Sequence, residues 1–373
     1  MNIFADENIP LVCEAFAHFG NVKTFNGRQL SADHLNDADI LLVRSVTTVN
    51  EQLLKKSNIK FVGSATIGFD HIDLNYLQTQ NIGFARAPAS NAISAAEYVN
   101  AALFSLSQTQ CFDLTQKTVG IIGCGNVGSR VLARLEALGV KCLINDPPLE
   151  QLSNKNFTFS PLKDILNCDI ISLHVPLILD GEYPTFELVN NTFLSELKNG
   201  TVLINTSRGK VVDETALLKH ANRLSLVLDV WRNEPNINQT LLEKTCLATP
   251  HIAGYSFDGK IRGTTMIYEA CCEYFNVEKK WRANLPKPPI EKIVFSDQIS
   301  KEKALHLAIL ACYDLRTDDA KLRNIKNQPE SDKYFDQLRK NYPIRREFST
   351  LQVEIQRFDL IELLLKLGFQ IGG

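Results

Sequence analysis

The chain has 373 residues, of which 45% are hydrophobic and 22% charged, and its formal net charge is −2. That length exceeds what one hydrophobic core serves, so two or three domains are expected. The near-neutral balance points to no nucleic-acid partner and no membrane partner, and no apolar run approaches the roughly 18 residues that span a bilayer.

"MNIFADENIP" at the N-terminus lacks the basic flank and apolar core of a signal peptide. Nine cysteines without CxxC spacing read as reduced thiols in a cytoplasmic protein. Cys124, Cys142 and Cys168 fall in predicted strands or tight turns, and Cys271 and Cys272 read as core-facing helix residues rather than a reactive pair.

Over the first ninety or so residues, short apolar runs alternate with helical patterns. "NIFAD", "NVKTF", "ILLVRS", "IKFVGSAT" and "IGFARAP" read as strands; "PLVCEAFAHFG", "SADHLNDAD", "EQLLKKS" and "DLNYLQTQN" mostly read as helices. Such alternation implies right-handed βαβ units and a parallel sheet. A long amphipathic segment from Ser94 to Gln108 follows. The alternation then resumes with "TVGIIG", "VKCLIND", "DIISLHV", "TVLINTS", "LSLVLDV" and "CLATPH", so two doubly wound α/β units stand in tandem. A helix is expected from about Ser256 to Trp281.

The proline cluster in "RANLPKPPIEK" marks a linker near residue 287. Beyond it a strand "EKIVFS", helices at "KEKALHLAILACYDL" and "KYFDQLRKNY", a strand "TLQVEIQ" and a helix "DLIELLLKLGF" suggest a small α+β domain.

Gly123-Cys124-Gly125-Asn126-Val127-Gly128 is a G-x-G-x-x-G run between a strand and an amphipathic helix. In that context Gly123 permits the tight turn, Gly125 lets backbone approach a pyrophosphate, and Gly128 allows close helix–strand packing. Free N–H groups at the helix start then face the phosphates. The next strand ends at Asp146, whose carboxylate suits ribose hydroxyls and repels a 2′-phosphate, so NAD is favoured over NADP.

Three later segments put Arg208, Glu234 and His251 after successive strands of the second sheet, with Asp213 as a helix N-cap and Asp229 at the end of its strand. Ligands of open parallel sheets bind outside the carboxyl ends of strands. Singly these residues read as a surface charge, a solvated loop acid and a core histidine. Together they fit oxidation of a 2-hydroxy acid. Arg208 holds the carboxylate, His251 takes the hydroxyl proton, and Glu234 orients the imidazole.

With those residues in place, the chain resembles the D-isomer-specific 2-hydroxyacid dehydrogenase family, whose Arg, Glu and His triad matches Arg208, Glu234 and His251. The resemblance implies a fold of two doubly wound parallel-sheet domains of Rossmann and flavodoxin type. It assigns residues 1–93 and 255–286 to a discontinuous substrate domain and 94–254 to an NAD domain, leaving 287–373 as the small C-terminal domain. A closer likeness runs through "FADENIP", "VRSVTTVNE", "FVGSATIGFDHID", "HIAGYSFDGKIRGTT", "YDLRTDDAKLR" and "FDQLRKNYPIRREF". It is to a branch with an added C-terminal domain that acts on a phosphorylated four-carbon hydroxy acid, on a route to pyridoxal phosphate, and it implies a homodimer through that domain.

The same resemblance implies substrate contacts at Ser45, Thr66 and Tyr255, and NAD contacts at Asp146, Val175, Thr206, Ser207, Arg208, Asp229 and Gly254. Val175 departs from a pattern that can have Thr there, which removes one hydroxyl contact. For the phosphate, Arg44 beside Ser45 supplies a cation at a strand end. "YPIRREF" presents Arg345 and Arg346, either a solvated pair or a cation brought to a cleft across the dimer. Rival readings are a 3-phosphoglycerate or other D-2-hydroxyacid dehydrogenase on the same scaffold, and an NAD-sensing corepressor-like binding protein.

Overall fold

The computed structural model describes residues 1–152 and 157–372, and its contacts divide the chain into two units. The first comprises Met1–Asn91 and Ser256–Pro286. Its five strands are β1 (Asn2–Asp6), β2 (Asn21–Phe25), β3 (Ile40–Val43), β4 (Phe61–Ser64) and β5 (Gly83–Arg86). They pair in parallel in the order β2-β1-β3-β4-β5.

Every residue of β3 and β4 is buried, as parallel strands covered on both faces must be. Alternation along β3 splits its side chains between two cores. Ile40 and Leu42 pack with Ile267, Tyr268, Cys271 and Cys272 of the helix Phe257–Phe275, whereas Leu41 and Val43 pack with Leu35, Leu53 and Leu77. Cys271 and Cys272 are therefore core residues, and burial pushes the Cys271 thiol up to about 12. Two segments that read as helices are shorter than their pattern suggests: "SADHLNDAD" gives only a 3₁₀ turn, Ala32–Leu35, and "EQLLKKS" a single turn, Glu51–Leu54.

The second unit comprises Ala92–Tyr255 and Lys287–Gly373. Its main sheet holds β6 (Thr118–Ile122), β7 (Lys141–Asn145), β8 (Ile170–Leu173), β9 (Val202–Asn205), β10 (Ser225–Leu228) and β11 (Leu247–Ala248). The order is β11-β10-β9-β8-β6-β7, all parallel. From β6 the chain winds outward to β7, then crosses back to β8 on the other side. The crevice between β6 and β8 is thus the topological switch point, where ligands of such sheets bind.

Three short parallel strands, β12 (Lys292–Val294), β13 (Gln352–Glu354) and β14 (Gln370–Gly372), form a separate sheet in the order β12-β13-β14. The segment after residue 287 shares its core with the main sheet's helices. Leu305, Ala308, Leu360, Leu364 and Leu367 pack with Val131, Leu135 and Val99. A buried polar cluster joins the same surfaces. Glu97 Oε1 accepts from Phe348 N at 3.0 Å and lies 3.7 Å from Arg134 Nη2. Burial, with Glu347 nearby, pushes the Glu97 carboxyl up to about 8 despite Arg134.

Of the two readings that the sequence allowed for Arg345 and Arg346, the solvated pair is corrected by their burial. They are only 6% and 8% exposed. Arg345 lies over the Tyr313 ring, with its Cζ 4.1 Å from the centroid, and donates to Ala253 O at 2.5 Å. A cation enclosed in a protein interior is held there by such partners, and Arg345 fastens the C-terminal segment to the loop after His251.

Candidate active site

The site is built from loops that leave the carboxyl ends of the second unit's strands. After β6 the backbone turns at Gly123, where φ is +87° and an added Cβ would lie 2.8 Å from His174 O. Gly128 opens the helix Gly128–Ala137, and a Cβ there would collide with Gly123 O at 2.0 Å. Gly125 is the opposite case: a Cβ would meet nothing within 4 Å. The loop is therefore closed on its protein side and open at Gly125, Asn126 and Val127, at the N-terminus of a ten-residue helix. That is the cradle a dinucleotide's pyrophosphate requires.

Asp146, after β7, has both carboxylate oxygens engaged by backbone. Oδ2 accepts from Cys124 N at 2.7 Å, and Oδ1 caps the short helix Pro147–Gln151 through Leu149 N at 3.0 Å. Its negative charge is thereby fixed against the glycine-rich loop. After β8 come His174 and Val175. His174 contacts Ser172 Oγ at 2.9 Å and Thr206 Oγ1 at 3.3 Å, and burial depresses it to about 3, so the ring is neutral.

The catalytic groups follow on β9, β10 and β11, three neighbouring strands. The turn after β9 is held by Asn205, whose Oδ1 accepts from Ser207 N and Oγ at 3.0 and 2.7 Å. Arg208 follows, half-buried, with one guanidinium N–H donated to Ser207 O at 2.8 Å. Gly209 is dictated by space, because a Cβ would lie 2.0 Å from the Trp231 backbone.

After β10, Trp231 N donates to Glu234 Oε1 at 2.8 Å, which turns Oε2 toward His251 Nδ1 at 2.7 Å. Burial disfavours ionisation of Glu234, but the neighbouring His251, Arg339 and the Trp231 N–H together hold its carboxyl below the usual carboxylate range. An ionised Glu234 requires the proton on Nδ1, so Nε2 of neutral His251 carries the free lone pair.

His251 adopts φ +58°, a left-handed conformation that costs a non-glycine residue about 1–2 kcal/mol. The fold holds it there through Asp229. His251 N donates to Asp229 O at 2.7 Å, and the Asp229 carboxylate accepts from Ile252 N, Ala253 N and Thr249 Oγ1 at 2.7, 2.9 and 2.6 Å. Tyr98 OH, 2.8 Å from Thr249 Oγ1, extends this buried chain. Asp229 thus has a role that its position at a strand end did not reveal: it grips the loop that carries the base.

Gly254 and Tyr255 close the loop, and the Tyr255 ring meets Tyr342 edge-on at 5.7 Å. Ser45, Thr66 and Arg44 lie in the first unit, after β3 and β4. Ser45 is exposed. The Thr66 hydroxyl donates to Gly68 O at 3.0 Å and sits 2.8 Å from Ser64 Oγ. Arg44 is less free than its sequence suggested, since Nε donates to the fully buried Asp6 at 3.2 Å. Among the described residues no cluster of His, Cys, Asp or Glu could hold a metal ion.

A dinucleotide cradle at the switch point, with an acid–histidine pair on the same sheet edge, defines an NAD-dependent dehydrogenase. Residues 83–253 match the family model "D-isomer specific 2-hydroxyacid dehydrogenase, NAD binding domain", and residues 284–368 match a domain of unknown function, DUF3410. A D-lactate dehydrogenase from Aquifex aeolicus, solved with NAD and lactic acid, superposes with TM-score 0.60 at 27% identity, covering 74% of this chain and 96% of its own. An NAD-bound 3-phosphoglycerate dehydrogenase from Entamoeba histolytica has TM-score 0.62 at 24% identity, covering 76% and 99%, which speaks to the fold alone.

Similarity over the whole chain is narrower in kind. The erythronate-4-phosphate dehydrogenase of Hahella chejuensis is 45% identical over 100% of both chains, and that of Marinobacter nauticus 46% identical over 95% of both. The chain belongs to the erythronate-4-phosphate dehydrogenase family.

Proposed function

We propose that this enzyme oxidises 4-phospho-D-erythronate to (R)-3-hydroxy-2-oxo-4-phosphooxybutanoate with NAD, a step toward pyridoxal phosphate. The observation that carries the chemistry is the 2.7 Å contact between Glu234 and His251 Nδ1, which leaves Nε2 as the proton acceptor. When bound, NAD accepts the hydride released from C2. Gly123, Gly125, Asn126, Val127 and Gly128 hold its phosphates, Asp146 its ribose, and Val175, Thr206, Ser207, Arg208, Asp229 and Gly254 its nicotinamide half.

The substrate carboxylate pairs with Arg208, whose fork matches it in two hydrogen bonds. As the C2–H bond gives up hydride, the C2 hydroxyl proton passes to His251 Nε2 and a carbonyl forms. Glu234 stabilises the imidazolium. Tyr255, Ser45, Thr66 and Arg44 bind the remainder of the substrate.

The enzyme acts as a homodimer through the C-terminal segment. Its support is the apolar surface there: Phe358 is 87% exposed, Val294 66% and Leu365 53%, more than isolated surface residues require. Its nine cysteines all stand as thiols, which suits the reducing cytoplasm.

The test is turnover of purified protein with NAD on 4-phosphoerythronate, 3-phosphoglycerate and D-lactate, beside sedimentation of the full chain. A kcat/KM for 3-phosphoglycerate equal to or above that for 4-phosphoerythronate would overturn the substrate assignment. A monomer at assay concentration would overturn the dimer.

A further inference from the structure

The catalytic pair has a neighbour that comes from far along the chain. The helix Ser331–Lys340 is anchored by Phe335, fully buried in the same apolar cluster as Trp231. Arg339 stands one turn beyond Phe335 and so on the same helix face. Its guanidinium carbon lies 5.7 Å from the centre of the Tyr255 ring, it hydrogen-bonds that side chain, and its charge acts on Glu234. Its Nε is buried and has no hydrogen-bond partner.

An enclosed N–H donor without an acceptor is costly. A cation held over the Tyr255 ring, its charge acting on Glu234 and one donor unspent, is placed for an anion that arrives. Arg208 serves the substrate carboxylate, Arg44 gives its Nε–H to Asp6, and Arg345, whose Nη1 is likewise buried without a partner, is enclosed against Ala253 O and the Tyr313 ring. The phosphate of the substrate lies two carbons and an ester oxygen beyond C2, on the side of the molecule away from the carboxylate.

We propose that Arg339 is a specificity-determining residue of this active site, supplying through Nε and the rest of its fork the cation that receives the substrate's phosphate. The proposal rests on the reaction assigned above. It gives the C-terminal segment a part in recognition as well as in assembly.

Arg339→Met removes the charge while keeping the length of the stem, and Arg339→Lys keeps the charge but loses the planar fork. KM for 4-phosphoerythronate, and its Kd by calorimetry, should rise about 10–100-fold in Arg339→Met, the loss expected for charge-assisted hydrogen bonds. Arg339→Lys should fall between that variant and wild type. KM for unphosphorylated erythronate, NADH binding by fluorescence, and the thermal unfolding midpoint should stay near wild type. An unchanged KM for the phosphorylated acid in a wild type that turns it over overturns this proposal alone. So does an equal loss for both acids with a displaced pH profile, which would make Arg339 only an electrostatic partner of Glu234. Wild type without activity on 4-phosphoerythronate overturns the assigned reaction, and this proposal with it. If Arg339→Met does not fold, Arg339→Lys decides by the same KM comparison.

Discussion

Replacing Glu234 by glutamine keeps the shape of the side chain and removes the charge 2.7 Å from His251 Nδ1. The two side chains are 18% and 31% exposed, so the pair is neither a solvated ion pair nor a sealed one. Exposed pairs contribute up to about 1 kcal/mol and charge-assisted hydrogen bonds about 1.5–3 kcal/mol; for this half-buried pair about 1.5 kcal/mol is reasonable. At about 1.36 kcal/mol per factor of ten, that is roughly a tenfold loss in stabilising the imidazolium that forms during reaction.

The direction follows from which form is stabilised. A carboxylate favours the imidazolium, so removing it favours neutral imidazole, the form that accepts the hydroxyl proton. The acid limb of kcat/KM for oxidation should therefore move to lower pH. The maximum rate should fall too, since the imidazolium that forms during reaction loses its partner. Stability carries a second sign. The folded Glu234 carboxyl is held below its usual range, so its contribution is present above that range and is lost as pH falls through the folded value. Acid unfolding of wild type should show this loss and Glu234→Gln should not. The assay is initial rate of NADH formation across pH at low substrate, with circular dichroism alongside. An acid limb that does not move would refute the pairing of Glu234 with His251.

His251→Ala should lower kcat by about 10²–10⁴ through lost proton transfer, with NADH binding unchanged by fluorescence titration; loss of binding in parallel would mean that the loop, not the base, was removed. Asp146→Ala frees Cys124 N and uncaps the short helix after it, so NAD affinity should fall and the gap to NADP should narrow; equal use of both cofactors by wild type would remove the role given to Asp146. Glu97 has its folded carboxyl raised to about 8, so wild type should lose stability as pH rises from the usual carboxylate range through that value. Glu97→Gln should flatten that slope in thermal unfolding measured across pH, and a slope as steep as wild type would contradict it.

Much of this protein is determined locally, and those parts were legible in the sequence. A strand such as "ILLV" is a continuous apolar run because parallel strands are covered on both faces, so it announces itself. The glycine loop is legible because each glycine answers a backbone constraint a few residues away, as the contacts of Gly123 and Gly128 show. Arg208, Glu234 and His251 could be grouped because strand order places successive carboxyl ends on one edge.

What only the tertiary structure decided depends on residues far apart in the chain. Asp229 looked like a strand-end acid, and its grip on Ile252 N and Ala253 N appears only when β10 and β11 pair. "IRREF" read as either a solvated pair or a cleft-facing cation because charged residues are usually exposed, and burial of Arg345 needs the Tyr313 ring and Ala253 O, 32 and 92 positions away. Arg339 had no local signal, as one basic residue near a helix end is ordinary. Its place over the Tyr255 ring comes from Phe335 entering the core around Trp231. Periodicity reports which face of an element is buried, but not which neighbour buries it, and the electrostatics of this site are set by the neighbour.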